Sequence, residues 1–272
     1  MTSSAAARGT LGITFGNPAF EDSVRARLDD VEAALLGAVA SDDAFVAEVA
    51  SHLVRAGGKR FRPLLALLAA HFGDPAADGV VPSAVVMELT HLATLYHDDV
   101  TDEALMRRGA VSANQRWGNT VAILTGDFLF SRASNLLADL GPEAVRIQAR
   151  TFERLVVGQM HETVGPPPGA DPVAFHLGVI ADKTGSLIAA SAQLGAMFAG
   201  VEPPLVAALM EYGEHIGMAF QLSDDILDIT SDTAEFGKAV GTDLREGIRT
   251  LAPLTVLAGD GAADARLRDL LS

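Results

Sequence analysis

Apolar residues return every three or four positions along most of this chain, the period of one face of an α-helix. Val24, Leu28, Val31, Leu35 and Val39 trace one such face, and Phe45, Val49, Leu53 and Val54 trace a second. Asp42 reads as the N-cap of that second helix and Gly57-Gly58 as its end. Lys59-Arg60-Phe61-Arg62-Pro63 opens a third, with Pro63 in the first turn, where its missing N–H costs little. A loop around Gly73 to Gly79 precedes a long helix running to Asp98, and a turn near Gly109 leads to a short helix ending at Trp117. Further helices are expected from Gly118 to Leu140, over residues 143–163, from Asp171-Pro172 to about Ala199, from Pro203-Pro204 through Asp228, and near Thr250 to Leu257. No alternating strand runs with hairpin turns interrupt this pattern, so the expected fold class is all-α. Residues 1–20, rich in Ser, Ala, Gly and Thr and without periodicity, read as a flexible arm. No linker divides residues 21–272, which are expected to form a single domain.

Composition supports a large core. Of 272 residues, 49% are apolar and 20% charged, and the mean hydropathy is +0.27. Cysteine is absent, which excludes disulfides and thiolate metal sites and fits a reducing compartment. No apolar run approaches the roughly 18 residues of a membrane span, and the N-terminus lacks the basic-then-apolar pattern of a signal peptide. The expected location is therefore cytoplasmic. A net charge of −15 argues against general nucleic-acid binding. An acidic protein still binds anions where metal ions or local cations reverse the sign.

Candidate chemistry gathers at two acidic strings. His97-Asp98-Asp99-Val100-Thr101-Asp102 ends the long helix and is followed by Arg107-Arg108-Gly109. Asp98 and Asp102 stand one helical turn apart, where two carboxylates repel each other unless a cation or a proton intervenes. Mg²⁺ suits such a pair, since it takes one or two carboxylates and completes its octahedron with water and phosphate oxygens. The arginines that follow are natural phosphate partners. Phe220-Gln221-Leu222-Ser223-Asp224-Asp225-Ile226-Leu227-Asp228 repeats the acidic spacing inside another apolar helix. Lys59, Arg60 and Arg62 lie at the Gly-Gly turn feeding a helix N-terminus, a favourable place for a phosphate. Lys183-Thr184 interrupts an apolar helix, and Lys238 follows Gly237. His91, two helical turns before Asp98, shares its face and reads as a ligand-binding residue. His97 reads as structural, and Glu88 and Asp127 as hydrogen-bonding groups on apolar helices.

Taken together, Gly57-Gly58-Lys59-Arg60-Phe61-Arg62-Pro63, the His91 to Gly109 stretch, Gly126-Asp127, Lys183-Thr184-Gly185, Phe220 to Asp228, and Gly237-Lys238 to Gly241-Thr242-Asp243 resemble the trans-isoprenyl diphosphate synthases, the polyprenyl synthetase family. The resemblance covers nearly all of the chain after about residue 20. It implies a single-domain antiparallel helix bundle of the isoprenoid synthase type with a central cavity, working as a homodimer. It implies a Mg²⁺-dependent prenyltransferase that condenses isopentenyl diphosphate with an allylic prenyl diphosphate. By the same resemblance Asp98, Asp102 and Asp224 are metal ligands, and Arg107, Lys183, Thr184, Gln221 and Lys238 meet the allylic substrate. Lys59, Arg62, His91 and Arg108 hold the diphosphate of isopentenyl diphosphate, and Lys183, Thr184 and Gln221 serve the catalytic step. Members of the family continue for several helices beyond Leu270-Leu271-Ser272, so the C-terminal helices of the domain are expected to be missing. In this family the residue five positions before the first Asp often serves as a floor for the growing product when it is aromatic. Ala93 and its neighbour Thr94 are small, which implies a product of roughly hexaprenyl to nonaprenyl length. Short-chain synthesis and a non-catalytic accessory subunit of a heteromeric synthase are the alternatives.

Overall fold

Asn17 starts the first helix: its carboxamide oxygen accepts the N–H groups of Ala19 (3.1 Å) and Phe20 (3.3 Å), and Pro18 stands where no N–H is needed. Helix α1 (Pro18–Ala38) therefore begins inside the stretch expected to be a flexible arm. The structure, a computed structural model, describes residues 15–230, 241–245, 247–261 and 264–271; residues 1–14 of that arm and Lys238 lie outside them. Helix α2 (Ala44–Arg55) is capped by Asp43 rather than Asp42, through N–H groups of Phe45 (2.9 Å) and Val46 (3.0 Å). Phe45, counted on its apolar face, is 51% exposed in the first turn. There follow α3 (Phe61–Ala70), α4 (Val80–Thr101), β1 (Met106–Arg107), β2 (Ala110–Val111), α5 (Ala113–Trp117), α6 (Asn119–Leu140) and α7 (Pro142–Val164). Next come α8 (Pro172–Ile180), a π-helical turn (Ala181–Gly185), α9 (Ser186–Phe198), α10 (Pro203–Thr230), α11 (Thr242–Arg245), α12 (Leu251–Ala258) and α13 (Ala265–Leu271). The all-α expectation holds, with one exception.

That exception is the ribbon β1–β2, in which Met106 pairs with Val111 and Arg107 with Ala110. Arg108 (φ 52°) and Gly109 (φ 76°) form its tip, the two positive-φ positions of a tight hairpin. Strands of two residues carry no readable period, which is why hydrophobic patterning missed them.

The chain divides into two compact units, one running to Ala149 with Ala189–Gly213 and the other Arg150–Ile188 with the part from Glu214 onward. Their boundaries fall inside α7, α9 and α10 rather than at a linker. In the first unit α4 is surrounded by α1, α3, α5 and α6. A helix packed on most sides needs apolar residues around most of its circumference, and Met87, Leu89, Leu92, Ala93 and Tyr96 are fully buried while His91, Leu95 and Asp98 on one face are partly exposed. The Tyr96 hydroxyl ties α4 to α2, donating to the Val49 carbonyl at 2.5 Å and accepting the Leu53 N–H at 3.3 Å. Gly126 lets α6 approach α4 closely: a side chain there would meet the His97 imidazole and come within 3.0 Å of the Ala93 carbonyl.

In the second unit the expected continuous helix after Asp171 is interrupted by the π turn. Glycines on two neighbours admit this wider turn. A Cβ on Gly158 of α7 would lie 2.7 Å from the Lys183 nitrogen, and one on Gly217 of α10 would lie 3.0 Å from the Gly185 Cα. Pro172–Phe198 is, among the described residues, long and apolar enough to cross a bilayer by length and composition, a helix the search for uninterrupted apolar runs passed over. It carries Asp182 and Lys183 mid-length, charges that are costly at a bilayer centre, and 44% of its most apolar window is buried within the protein. It reads as a core helix.

Candidate active site

The first unit gathers a cluster of cations around one buried carboxylate. Glu88 on α4 is 1% exposed, with Arg60 Nη1 at 2.9 Å and Arg108 Nη2 at 3.7 Å. Arg60 also pairs with Glu32 and donates to the Val54 carbonyl at 2.9 Å. Burial opposes its charge, but Glu32 and Glu88 more than restore it, so its pKa stands above the ordinary value. Arg60 (φ 48°) and Arg108 (φ 52°) both hold left-handed backbone conformations. Such strain persists only where contacts over-determine it, and here both guanidinium groups donate to the Gly57 carbonyl as well as facing Glu88. Gly58 lacks a side chain for a physical reason: its Cβ would sit 2.7 Å from the Arg108 Cζ.

Arg62 and His91 complete the cluster. The Arg62 Nε is buried without a hydrogen-bond partner. Burial brings the Arg62 guanidinium down to about 10, Glu88 acting against that and Arg108 adding to it. His91 is held well below the usual imidazole range, first by burial and then by Arg62, Arg108, Arg107 and Arg60. It is therefore neutral at neutral pH. Lys59 is exposed on the Gly-Gly turn beside them. The predicted set Lys59, Arg62, His91 and Arg108 thus belongs to one unit. Arg60, weighed with them at that turn, is committed to Glu32 and Glu88 instead.

The first acidic string splits by role. Asp99 has no exposed surface and accepts from Arg107 Nε at 2.6 Å, a partnership the sequence did not show. Asp98 is half-buried and Asp102, at the C-cap of α4, has 58% of its side chain exposed, with Arg107 Nη2 at 3.9 Å. Thr94 donates to the His91 carbonyl at 2.8 Å and retains 9% exposure, while Ala93 retains none. His97 donates to the Ile123 carbonyl at 3.1 Å, as its structural reading requires.

The second unit carries the other string. Asp224 is half-buried and Asp225 buried. Gln221 Nε2 donates to Asp225 Oδ1 at 2.9 Å, and Thr184 Oγ1 donates to Gln221 Oε1 at 3.2 Å. Asp228 is spent on the backbone, accepting the N–H groups of Thr242 (3.3 Å) and Asp243 (3.2 Å) at the start of α11. Lys183 pairs with Glu162, and Arg154 fixes the same region by bridging Asp182 and Glu214, both at 2.9 Å. Thr184 and Gln221, both predicted to meet the allylic substrate, are joined by this hydrogen bond. Helical spacing within α10 would have found the Gln221–Asp225 pair; nothing in the sequence points to His176 opposite Asp225.

Each string therefore offers oxygen donors in ones and twos. Among the described residues no three carboxylates or imidazoles converge closely enough to enclose an ion by themselves. That donor chemistry fits a hard divalent ion that takes most of its ligands from phosphate and water.

A family profile of polyprenyl synthetases matches residues 43–272. The nonaprenyl diphosphate synthase of Mycobacterium tuberculosis is 49% identical over 262 residues, covering 96% of this chain and 78% of that protein. The heptaprenyl diphosphate synthase component 2 of Geobacillus stearothermophilus is 42% identical over 231 residues, 85% of this chain and 72% of its own. Among solved structures, the geranylgeranyl pyrophosphate synthase of Corynebacterium glutamicum, complexed with calcium and isoprenyl diphosphate, superposes with a TM-score of 0.85 at 48% identity, covering 96% of this chain and 79% of that one. The chain belongs to the polyprenyl synthetase family.

Proposed function

We propose that this prenyltransferase condenses isopentenyl diphosphate with an allylic diphosphate and extends the all-trans product to roughly hexaprenyl to nonaprenyl length. The observation that carries the reading is the cation cluster around His91. A chain with a net charge of −15 sets four arginines close enough to His91 to depress its pKa, and leaves the buried Arg62 Nε without a partner. Desolvated cations of this kind are costly unless an anion is their purpose.

In this reading Lys59, Arg62 and Arg108 clamp the diphosphate of isopentenyl diphosphate, and neutral His91 donates to it. Arg107, Lys183, Thr184, Gln221 and Lys238 attend the allylic substrate. Asp98, Asp102 and Asp224 would hold Mg²⁺, which when bound neutralises charge building on the departing diphosphate. The allylic C–O bond ionises, the double bond of isopentenyl diphosphate attacks the cation, and the released diphosphate takes the proton lost from the adduct. The hydroxyl of Thr184 and the amide oxygen of Gln221 soften the cation's field and exclude water. A homodimer in a reducing cytoplasm is part of the same proposal.

The test incubates the purified chain with farnesyl diphosphate, isopentenyl diphosphate and Mg²⁺, then sizes the product. Products longer than geranylgeranyl diphosphate are expected, shortened by Ala93→Phe. Geranylgeranyl diphosphate alone would defeat the long-chain reading and favour the short-chain one, for which the Corynebacterium glutamicum relative speaks. No diphosphate release by the chain alone would favour one component of a multi-chain synthase, as the name of the Geobacillus stearothermophilus relative describes.

A further inference from the structure

Behind Gln221 in the second unit lies a run of contacts that the mechanism above leaves unused. Asp225 Oδ1 accepts the Gln221 amide at 2.9 Å, and its other oxygen, Oδ2, faces His176 Nε2 at 3.7 Å. Both side chains are largely enclosed, at 9% and 17% exposure. Neither Oδ2 nor Nε2 reaches solvent, and neither has a hydrogen-bond partner. Two complementary buried atoms thus face each other just beyond hydrogen-bond range, a gap that a small turn of the imidazole closes.

The chemistry of Asp225 then fixes the amide. An ionised carboxylate only accepts, so Gln221 must turn its NH₂ toward Asp225 and its carbonyl oxygen away. That oxygen is the atom to which Thr184 donates. An asparagine at position 225 would accept either face of the amide and leave Gln221 free to flip.

We propose that Asp225 and His176 are positioning residues that lock the Gln221 amide with its oxygen, rather than its NH₂, presented beside the Thr184 hydroxyl to the allylic cation. The inference rests on the assignment of Thr184 and Gln221 to the allylic substrate. An oxygen dipole held in place before ionisation stabilises positive charge without reorganising, whereas an inverted amide opposes it. His176, donating to Oδ2, holds the carboxylate in the rotamer that meets Gln221 and satisfies an otherwise orphaned oxygen.

Steady-state kinetics of the full chain, with each diphosphate varied in turn, test the relay. Asp225→Asn and His176→Phe should each lower kcat about tenfold, leave both KM values within about twofold, and raise the share of allylic diphosphate lost to water. His176→Gln, which keeps a donor opposite Oδ2, should recover most of the loss, while thermal unfolding of the two His176 variants stays alike. Wild-type kcat in His176→Phe, or a loss that His176→Gln does not repair, would overturn the proposal. A wild-type chain that condenses nothing defeats the functional reading beneath it. An active wild type with a silent His176→Phe defeats the relay alone.

Discussion

The two acidic strings have the same spacing and different fates. In the first, Asp99 turns inward onto Arg107 and the third carboxylate, Asp102, stays open at the helix end. In the second, Asp225 turns inward onto a neutral amide and faces an imidazole, while Asp228 is consumed by the backbone of α11. The middle aspartate turns inward in both, but an arginine neutralises one and the other meets an amide and an imidazole. The difference follows from what comes next in the chain. A hairpin returns Arg107 to the first string, whereas the first turn of α11 brings the N–H groups of Thr242 and Asp243 to the second. Identical motifs thus leave the third carboxylate exposed in one unit and bound to backbone N–H groups in the other.

The third position breaks or sustains this contrast most sharply. Asp102→Ala should lower kcat/KM about a hundredfold in Mg²⁺-dependent condensation, roughly 3 kcal/mol of transition-state stabilisation. Asp228→Ala should instead cost about 1–2 kcal/mol of stability by freeing two N–H groups, with faster amide exchange at Thr242 and Asp243. Equal losses of activity at unchanged stability would erase the distinction.

The middle position gives a smaller separation, read by thermal unfolding. Asp99→Asn leaves Arg107 without its buried counter-charge and should cost about 2–3 kcal/mol. Asp225→Asn exchanges one neutral-partnered contact for another and should cost about 1 kcal/mol. A larger drop for Asp225→Asn would reverse the ranking.

Histidine supplies the smallest effect. His91 has a folded pKa well below 6.5, so below pH 6.5 the unfolded chain binds a proton that the native one refuses. Stability is therefore fully present above pH 6.5 and falls as pH drops through and below it, by at most about 1.4 kcal/mol per pH unit for one such group. His91→Gln should flatten that slope in urea unfolding series between pH 6.5 and 5. A slope identical to wild type would show that His91 is not the buried neutral group described.

How much of this was legible in the chain depends on range. The helices and the acidic strings follow from local spacing, because a face of a helix is written in residues three and four apart. Glu88 was visible as a polar residue on an apolar helix, but its partner Arg60 lies on another element and no periodicity names it. Asp99 and Asp98 are indistinguishable in sequence; the hairpin that brings Arg107 back decides which is buried. Ala93 was read from its size as leaving room for a growing product; its full burial, and the close approach of Gly126 on α6 to its carbonyl, are long-range facts that no local spacing names. The π turn also escaped, since one extra residue in a helical repeat looks like ordinary scatter in the apolar spacing.

That turn makes the second unit intolerant of a change no substitution scan would visit. Deleting a single residue between Ala181 and Gly185 would restore regular winding, and an α-helix advances about 100° per residue. Thr184 would swing around the axis away from Gln221, and Lys183 away from Glu162, with every side chain in the neighbourhood still of the right kind. Gly158 and Gly217 would keep a berth for a bulge that no longer exists. In this fold the count of residues is itself a functional group.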